Sequence, residues 1–272
     1  MIRRLEEADR ELTLAFLSRE PGFNIFIIGD ILHHGMEQDF QRLYGGFDEG
    51  ELRSVFLRYR EHAVFYAIDD RFDTAYLDVF DNDPFEHMSG KTRVMESITG
   101  HLDGFKVTKT SFLELVQECM PKEIAQVPYR IADDRETFKE VHDLLVSIDS
   151  FDMKSVPQER FVREQMASLM MGMTLVIEED GQVVSTARTT AETPTHAMVI
   201  AVATRKGYRN KGYAGALVGA LARTYMHDKG KSLCLFYDNP DAGSIYHRLG
   251  FRPAGEWTMA DRISCGNEVE RP

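Results

Sequence analysis

The chain has 272 residues, 43% of them hydrophobic and 28% charged, a balance that excludes a disordered chain and leaves room for one or two folded domains. Its 44 acidic residues against 32 basic ones give a net charge of −12, which disfavours nucleic acid and anionic lipid as partners. Cys119, Cys234 and Cys265 are too scattered for a disulfide framework or a zinc site, no apolar run reaches the roughly 18 residues of a membrane span, and the start turns acidic at once, so a cytoplasmic protein with reduced thiols and no metal is expected.

The first half opens with helical segments. Leu5, Leu12, Ala15 and Phe16 recur at helical spacing. Pro21-Gly22 breaks that helix, and a second is predicted over residues 24–34. Residues 52–59 and 63–68 are apolar runs joined by Arg60-Glu61-His62, the pattern of a hairpin. A third strand is predicted over residues 74–80, a helix over 92–102 and a strand over 112–116. Ser89-Gly90-Lys91-Thr92 has the ending of a nucleotide-binding loop, but Phe85 stands where that motif needs its first glycine, and the segment is expected instead to be a loop that is the degenerate counterpart of the basic loop of the second half. Residues 121–128 carry a proline at each end and no periodicity, and read as a linker between domains 1–122 and 128–272.

The second half begins with a strand over residues 129–132 and helices over 135–148 and 158–171. Apolar runs 173–178 and 183–191 flank Glu179-Asp180-Gly181, a strong hairpin signal. A third strand covers 197–204, a long helix runs over 212–229 to a stop at Gly230, and strand 232–237, short helix 242–249 and strand 252–259 follow. The two halves share a rough order of elements, which points to two related modules.

The chemistry concentrates where the third strand of the second half ends. After Val202-Ala203-Thr204 come Arg205, Lys206, Arg209 and Lys211, four cations within seven residues of an acidic protein. The loop Arg209-Asn210-Lys211-Gly212-Tyr213-Ala214 then opens an apolar helix. Amides of a helix's first turn lack internal partners and carry partial positive charge, so they suit a phosphate. Gly212 removes the Cβ that would hold an anion away from the backbone.

One strand later, Asn239, Ala242, Tyr246, Gly250 and Phe251 are spaced as N-x-x-A-x-x-x-Y-x-x-x-G-F. Together with R-x-x-G-x-A at Arg209, Gly212 and Ala214, this pair of segments resembles the GNAT superfamily of N-acetyltransferases over about the last 145 residues. The wording Tyr208-Arg209-Asn210-Lys211-Gly212-Tyr213-Ala214 looks like its glycine N-acyltransferase-like branch. The resemblance implies an α/β (α+β) fold of two GNAT-like modules, each a mixed, mostly antiparallel sheet flanked by helices, with the first module degenerate. It implies acetyl-CoA as co-substrate. Pantetheine would lie against Val202, Ala203 and Thr204, the diphosphate on Arg209, Asn210, Lys211, Gly212, Tyr213 and Ala214, and the other wall would hold Asn239, Ala242 and Tyr246.

An amine attacking a thioester needs its own proton removed, an oxyanion stabilised and a thiolate protonated. Tyr246 is the candidate general acid, because a phenol is protonated at neutral pH. For the general base the third strand supplies no carboxylate. Glu192 is the candidate, with His196 and Asp238 as alternatives. The expected reaction moves an acetyl group to a primary amine of a small molecule, amino acid or protein, by a monomer or homodimer. A non-catalytic acyl-CoA-binding sensor is the competing expectation.

Overall fold

The computed structural model describes residues 1–116, 119, 126–151 and 153–263. By compactness the chain divides into two units: Met1–Ser111 with the segment from Gly255 onward, and Phe112–Ala254. Of the expected linker, residues 121–125 lie outside the described residues and 126–128 carry neither helix nor strand. Cys265 also lies outside the described residues, whereas Cys119 and Cys234 are free thiols.

In the first unit, β1 (Ile2–Arg4) leads to helices α1 (Arg10–Leu17) and α2 (Ile25–His34). Buried Asn24 joins them where Pro21-Gly22 breaks the helix, donating to the carbonyls of Leu17 at 3.0 Å and Glu20 at 3.1 Å. Strands β2 (Gln41–Asp48), β3 (Glu51–Tyr59) and β4 (His62–Ala67) are antiparallel. β3 and β4 form the expected hairpin, with Tyr59 opposite His62. Then come α3 (Tyr76–Asn82), β5 (His87–Lys91), α4 (Thr92–Thr99) and β6 (Phe105–Leu115). β4 and β5 run parallel and stay paired from His62 opposite His87 to Phe65 opposite Gly90. A strand from the far end of the chain lies antiparallel on the other side of β5, Trp257 opposite Lys91.

Three expectations are corrected here. Residues 74–80 are not a strand: α3 starts there, because the Asp73 carboxylate accepts the Ala75 amide at 3.0 Å and Tyr76 and Phe80 bury one helical face at i, i+4. β2 went unpredicted because Gly45-Gly46 interrupts any strand pattern. Ser89-Gly90-Lys91 is the end of strand β5 and not a loop; Thr92 opens α4 directly.

The second half of the chain holds β7 (Arg130–Ile131), α5 (Arg135–Val146), α6 (Gln158–Ala167), β8 (Thr174–Glu179), β9 (Gln182–Thr190), β10 (His196–Thr204), α7 (Tyr213–Ala222), β11 (Ser232–Tyr237), α8 (Pro240–Arg248) and β12 (Arg252–Arg262), whose residues from Gly255 onward belong to the first unit as the strand beside β5. Asp134 caps α5 by accepting the Thr137 amide at 2.9 Å. The β8–β9 turn has Asp180 at φ 53° and Gly181 at φ 75°, as a two-residue hairpin turn requires. The strands are ordered β11, β10, β9, β8, β7, with residues Phe112 onward of β6 on the far side of β11.

Alternation along the strands sends side chains to two faces. Leu175 and Ile177 of β8 pack with Leu217, Val218 and Leu221 of α7. Val176 packs with Phe138, Val141 and Leu145 of α5 and Val162 of α6. The long helix expected over 212–229 is α-helical to Ala222 and then widens into a π-helix over Arg223–Asp228, and Gly230 stops it at φ 66°. Strand, two helices, three strands, helix, strand, helix, strand is the order of elements in both halves of the chain.

Candidate functional site

The site is built by the parting of two parallel strands. β10 and β11 pair from His196 opposite Ser232 to Met198 opposite Cys234, and the pairing ends there. Beyond that point lies a cleft of ≈ 890 Å³. Residues 199–204 line one wall and residues 236–239 the other, and the first turn of α7 and one face of α8 close it. Ile148 and Phe151, from the segment after α5, reach it as well.

β10 is irregular where it borders the cleft. Ile200 is opposite Arg188 and Ala203 opposite Thr186, so Ala201 and Val202 together face one residue of β9. Ala201 sits at φ 52°. A bulge of this kind takes backbone groups out of the ladder and turns them toward a ligand space, and a left-handed alanine is a strained position that such spaces often carry. Thr204 closes the strand through a 2.9 Å contact of its hydroxyl with Ser185.

The basic loop then divides its charges between structure and cleft. Arg205 is consumed internally, its Nε donating to the Val183 carbonyl at 2.9 Å. Lys211 pairs with Glu179 at 3.3 Å, lies over the Tyr208 ring and does not line the cleft. Glu179 also accepts the Tyr213 hydroxyl. Arg209 lines the cleft, donates to the Thr204 carbonyl at 3.2 Å and has no carboxylate partner among the described residues. Asn210 at φ 64° and Gly212 at φ 83° turn the chain into α7, and no side chain caps that helix. A Cβ on Gly212 would meet nothing, so its glycine serves the left-handed backbone and the open approach to the amides. Asn210, Gly212, Tyr213 and Ala214 all line the cleft.

On the opposite wall, Asn239 caps α8 by accepting the Asp241 amide at 2.9 Å, with Pro240 in the first turn. Ala242 and Tyr246 line the cleft from α8. The Tyr246 ring is held edge-on by Tyr237 at 6.0 Å and Phe251 at 5.9 Å. It is 6% exposed, and its hydroxyl has no hydrogen-bond partner among the described residues. Burial pushes this phenol up to about 12. Gly250 stands at φ 91°, where a Cβ would strike the Cys119 carbonyl oxygen at 1.9 Å, so the turn that brings Phe251 under Tyr246 requires glycine.

The three candidate bases are not brought together. Asp238 lines the cleft. Glu192 does not: it is bound by Lys231 at 2.7 Å, Lys229 at 3.0 Å and the Tyr225 hydroxyl at 3.1 Å. Burial works to raise its carboxyl, but the two lysines win and hold it below its ordinary value. His196 is buried, with its Nε2 2.6 Å from Glu114, and it does not line the cleft either. Glu114, Ile148, Phe151 and Arg188 have no local motif by which the sequence could have singled them out.

The bonds at Glu192 have a stability consequence. Glu192→Gln should leave turnover within about twofold and lower stability by roughly 1–2 kcal/mol, a few degrees in Tm. A lowered carboxyl contributes fully above the unfolded carboxylate range and loses its contribution as pH falls through the folded value. The deficit of the variant should therefore shrink in acid. Thermal melts at several pH values check this, and a collapse of turnover would make Glu192 catalytic after all.

Comparisons with known proteins bear on this arrangement. Residues 129–251 match the model of the acetyltransferase (GNAT) family. Among solved structures, a Drosophila protein aligns at TM-score 0.66 and 12% identity, covering 97% of this chain and 99% of its own. A tandem GNAT protein from the clavulanic acid biosynthesis pathway aligns at TM-score 0.62 and 11% identity, covering 96% and 97%. A GCN5-related N-acetyltransferase from Sphaerobacter thermophilus aligns at 0.58 and 14%, covering 96% and 94%. These likenesses establish the fold. No curated protein sequence matches the chain.

Proposed function

We propose, from the match of residues 129–251 to the acetyltransferase (GNAT) family model, that this chain transfers an acetyl group from acetyl-CoA to a primary amine with Tyr246 as general acid. The observation that carries this reading is that Tyr246, whose hydroxyl has no partner among the described residues, lines the same cleft as the uncapped N-terminus of α7 and Arg209.

The residues present fit the co-substrate. A diphosphate finds uncapped amides, a guanidinium with no carboxylate on it, and no side chain at Gly212. Val202, Ala203 and Thr204 border the cleft along the bulged strand, and Asn239 and Ala242 border it opposite. Acetyl-CoA supplies an acyl group on a thiolate leaving group. Tyr246 keeps its proton at Oη throughout the neutral range, because burial raises it, and can release it to an anion formed beside it. Asp238 is the candidate carboxylate at the cleft for receiving the amine proton. Glu192, neutralised by two lysines, takes no part in this scheme.

The first unit is read as a degenerate module that holds no coenzyme A. Its β4 and β5 pair from His62 opposite His87 to Phe65 opposite Gly90, and the segment between β4 and α3, the counterpart of the basic loop, carries Asp69, Asp70 and Asp73 against one cation, Arg71. Like charges there repel a diphosphate. The glycine N-acyltransferase-like wording of residues 208–214 favours a small amine acceptor. The test is thiol release from acetyl-CoA over a panel of amines. Steady release supports the transferase, and saturable acetyl-CoA binding without release on any amine would leave the sensor reading in its place.

A further inference from the structure

Arg188 is a buried-side cation that the scheme above does not use. It lies on β9 opposite Thr174 of β8 and Ile200 of β10. Thr174 is two residues from Val176, so Arg188 points to the face covered by α5 and α6. Its Nη2 donates to the Ser168 hydroxyl at 2.7 Å, while its Nε is buried with no hydrogen-bond partner among the described residues. No carboxylate pairs with it among those residues, and burial pulls its guanidinium below the ordinary value. Beside it is a cavity of ≈ 120 Å³ bordered by Gln165, Ser168, Met173 and Thr174, with no acidic lining.

An arginine stays charged at any physiological pH, so a half-buried guanidinium with no carboxylate on it among the described residues is a standing cost to the fold. Its planar fork matches a carboxylate with two parallel hydrogen bonds. The reaction cleft is one strand away. Ile200, directly opposite Arg188, is 39% exposed and lines that cleft, and side chains opposite one another across a ladder lie about 5 Å apart at Cβ. Given the acetyltransferase reading on which this rests, we infer that the acceptor is a small amino acid, its carboxylate seated on Arg188 and its amine reaching the cleft past Ile200.

The experiment uses the full chain with acetyl-CoA and pairs of amines that differ in a carboxylate: glycine, β-alanine and γ-aminobutyrate against methylamine, ethylamine and propylamine. The carboxylate-bearing member of at least one pair is expected to have a kcat/KM at least tenfold higher. Arg188→Met should remove that preference through the KM of the amino acid, leave the simple amine within about twofold, and leave the KM for acetyl-CoA unchanged. Because it removes a half-buried cation that meets no carboxylate among the described residues, Arg188→Met should also raise Tm, and Arg188→Lys should recover part of the preference. A thermal-shift series reads the site without turnover: amino acids should raise the Tm of the unmodified chain and not that of Arg188→Met. No carboxylate preference and no such shift, or a preference that survives Arg188→Met, overturns the assignment. A shift that depends on Arg188 without thiol release from any amine would instead sink the transferase reading and leave the carboxylate site standing.

Discussion

Tyr246→Phe should lower turnover by roughly 10²- to 10⁴-fold, the range of a lost general acid, while acetyl-CoA binds with nearly unchanged affinity. The substitution removes one oxygen. It keeps the ring that Tyr237 and Phe251 hold edge-on, so the packing of α8 survives and the loss falls on proton transfer. The hydroxyl has no hydrogen-bond partner among the described residues, so its removal leaves no protein group newly unpaired there. Burial pushes the phenol up to about 12. Its protonated form therefore persists well above neutral pH, and the alkaline side of the unmodified enzyme's pH profile should stay flat beyond the range in which an ordinary tyrosine ionises, near 10. Single-turnover rates with calorimetric binding of acetyl-CoA separate the two effects. Turnover within a few-fold of the unmodified enzyme would remove Tyr246 from the acid role.

Arg209→Ala should weaken acetyl-CoA by roughly 10- to 150-fold, the equivalent of about 1.5–3 kcal/mol for a hydrogen bond to a charged group. Arg209 is the basic-loop side chain that borders the cleft without a carboxylate on it among the described residues. Lys211→Ala should cost less, because Lys211 is already held by Glu179 and stands off the cleft. The Arg209 loss should shrink as salt is added, since screening weakens what the guanidinium contributes. Calorimetric titration of both variants at two ionic strengths checks the order. An equal loss for both, or none for Arg209, would move the diphosphate away from this loop.

The elements of the second unit were legible because their signals are local. The cap Asp134, the turn Asp180-Gly181 and the stop at Gly230 each act within a few residues of themselves. The basic turn into α7 was legible for the same reason: Arg209, Gly212 and Ala214 all bear on one helix terminus. Residues 74–80 were misread because a short apolar run fits both helical and strand periods, and burial of Tyr76 and Phe80 on one side decided between them. β2 was missed because its glycines carry no strand preference of their own.

The sequence by itself determined the chemistry available at the second unit's cleft: cations and a slim first turn at one end, a phenol at a set distance after a capping asparagine. Spacing along one helix or one loop is dictated by backbone geometry, so it survives without knowledge of the rest of the fold. Only the tertiary structure decided which groups face the cleft. Glu192 is turned away by Lys229 and Lys231, His196 is taken by a glutamate 82 residues earlier, and Arg188, opposite Ile200, meets no carboxylate among the described residues. Those outcomes depend on strand register and on which distant charges meet, and contacts made across dozens of residues leave no pattern at either end of the pair.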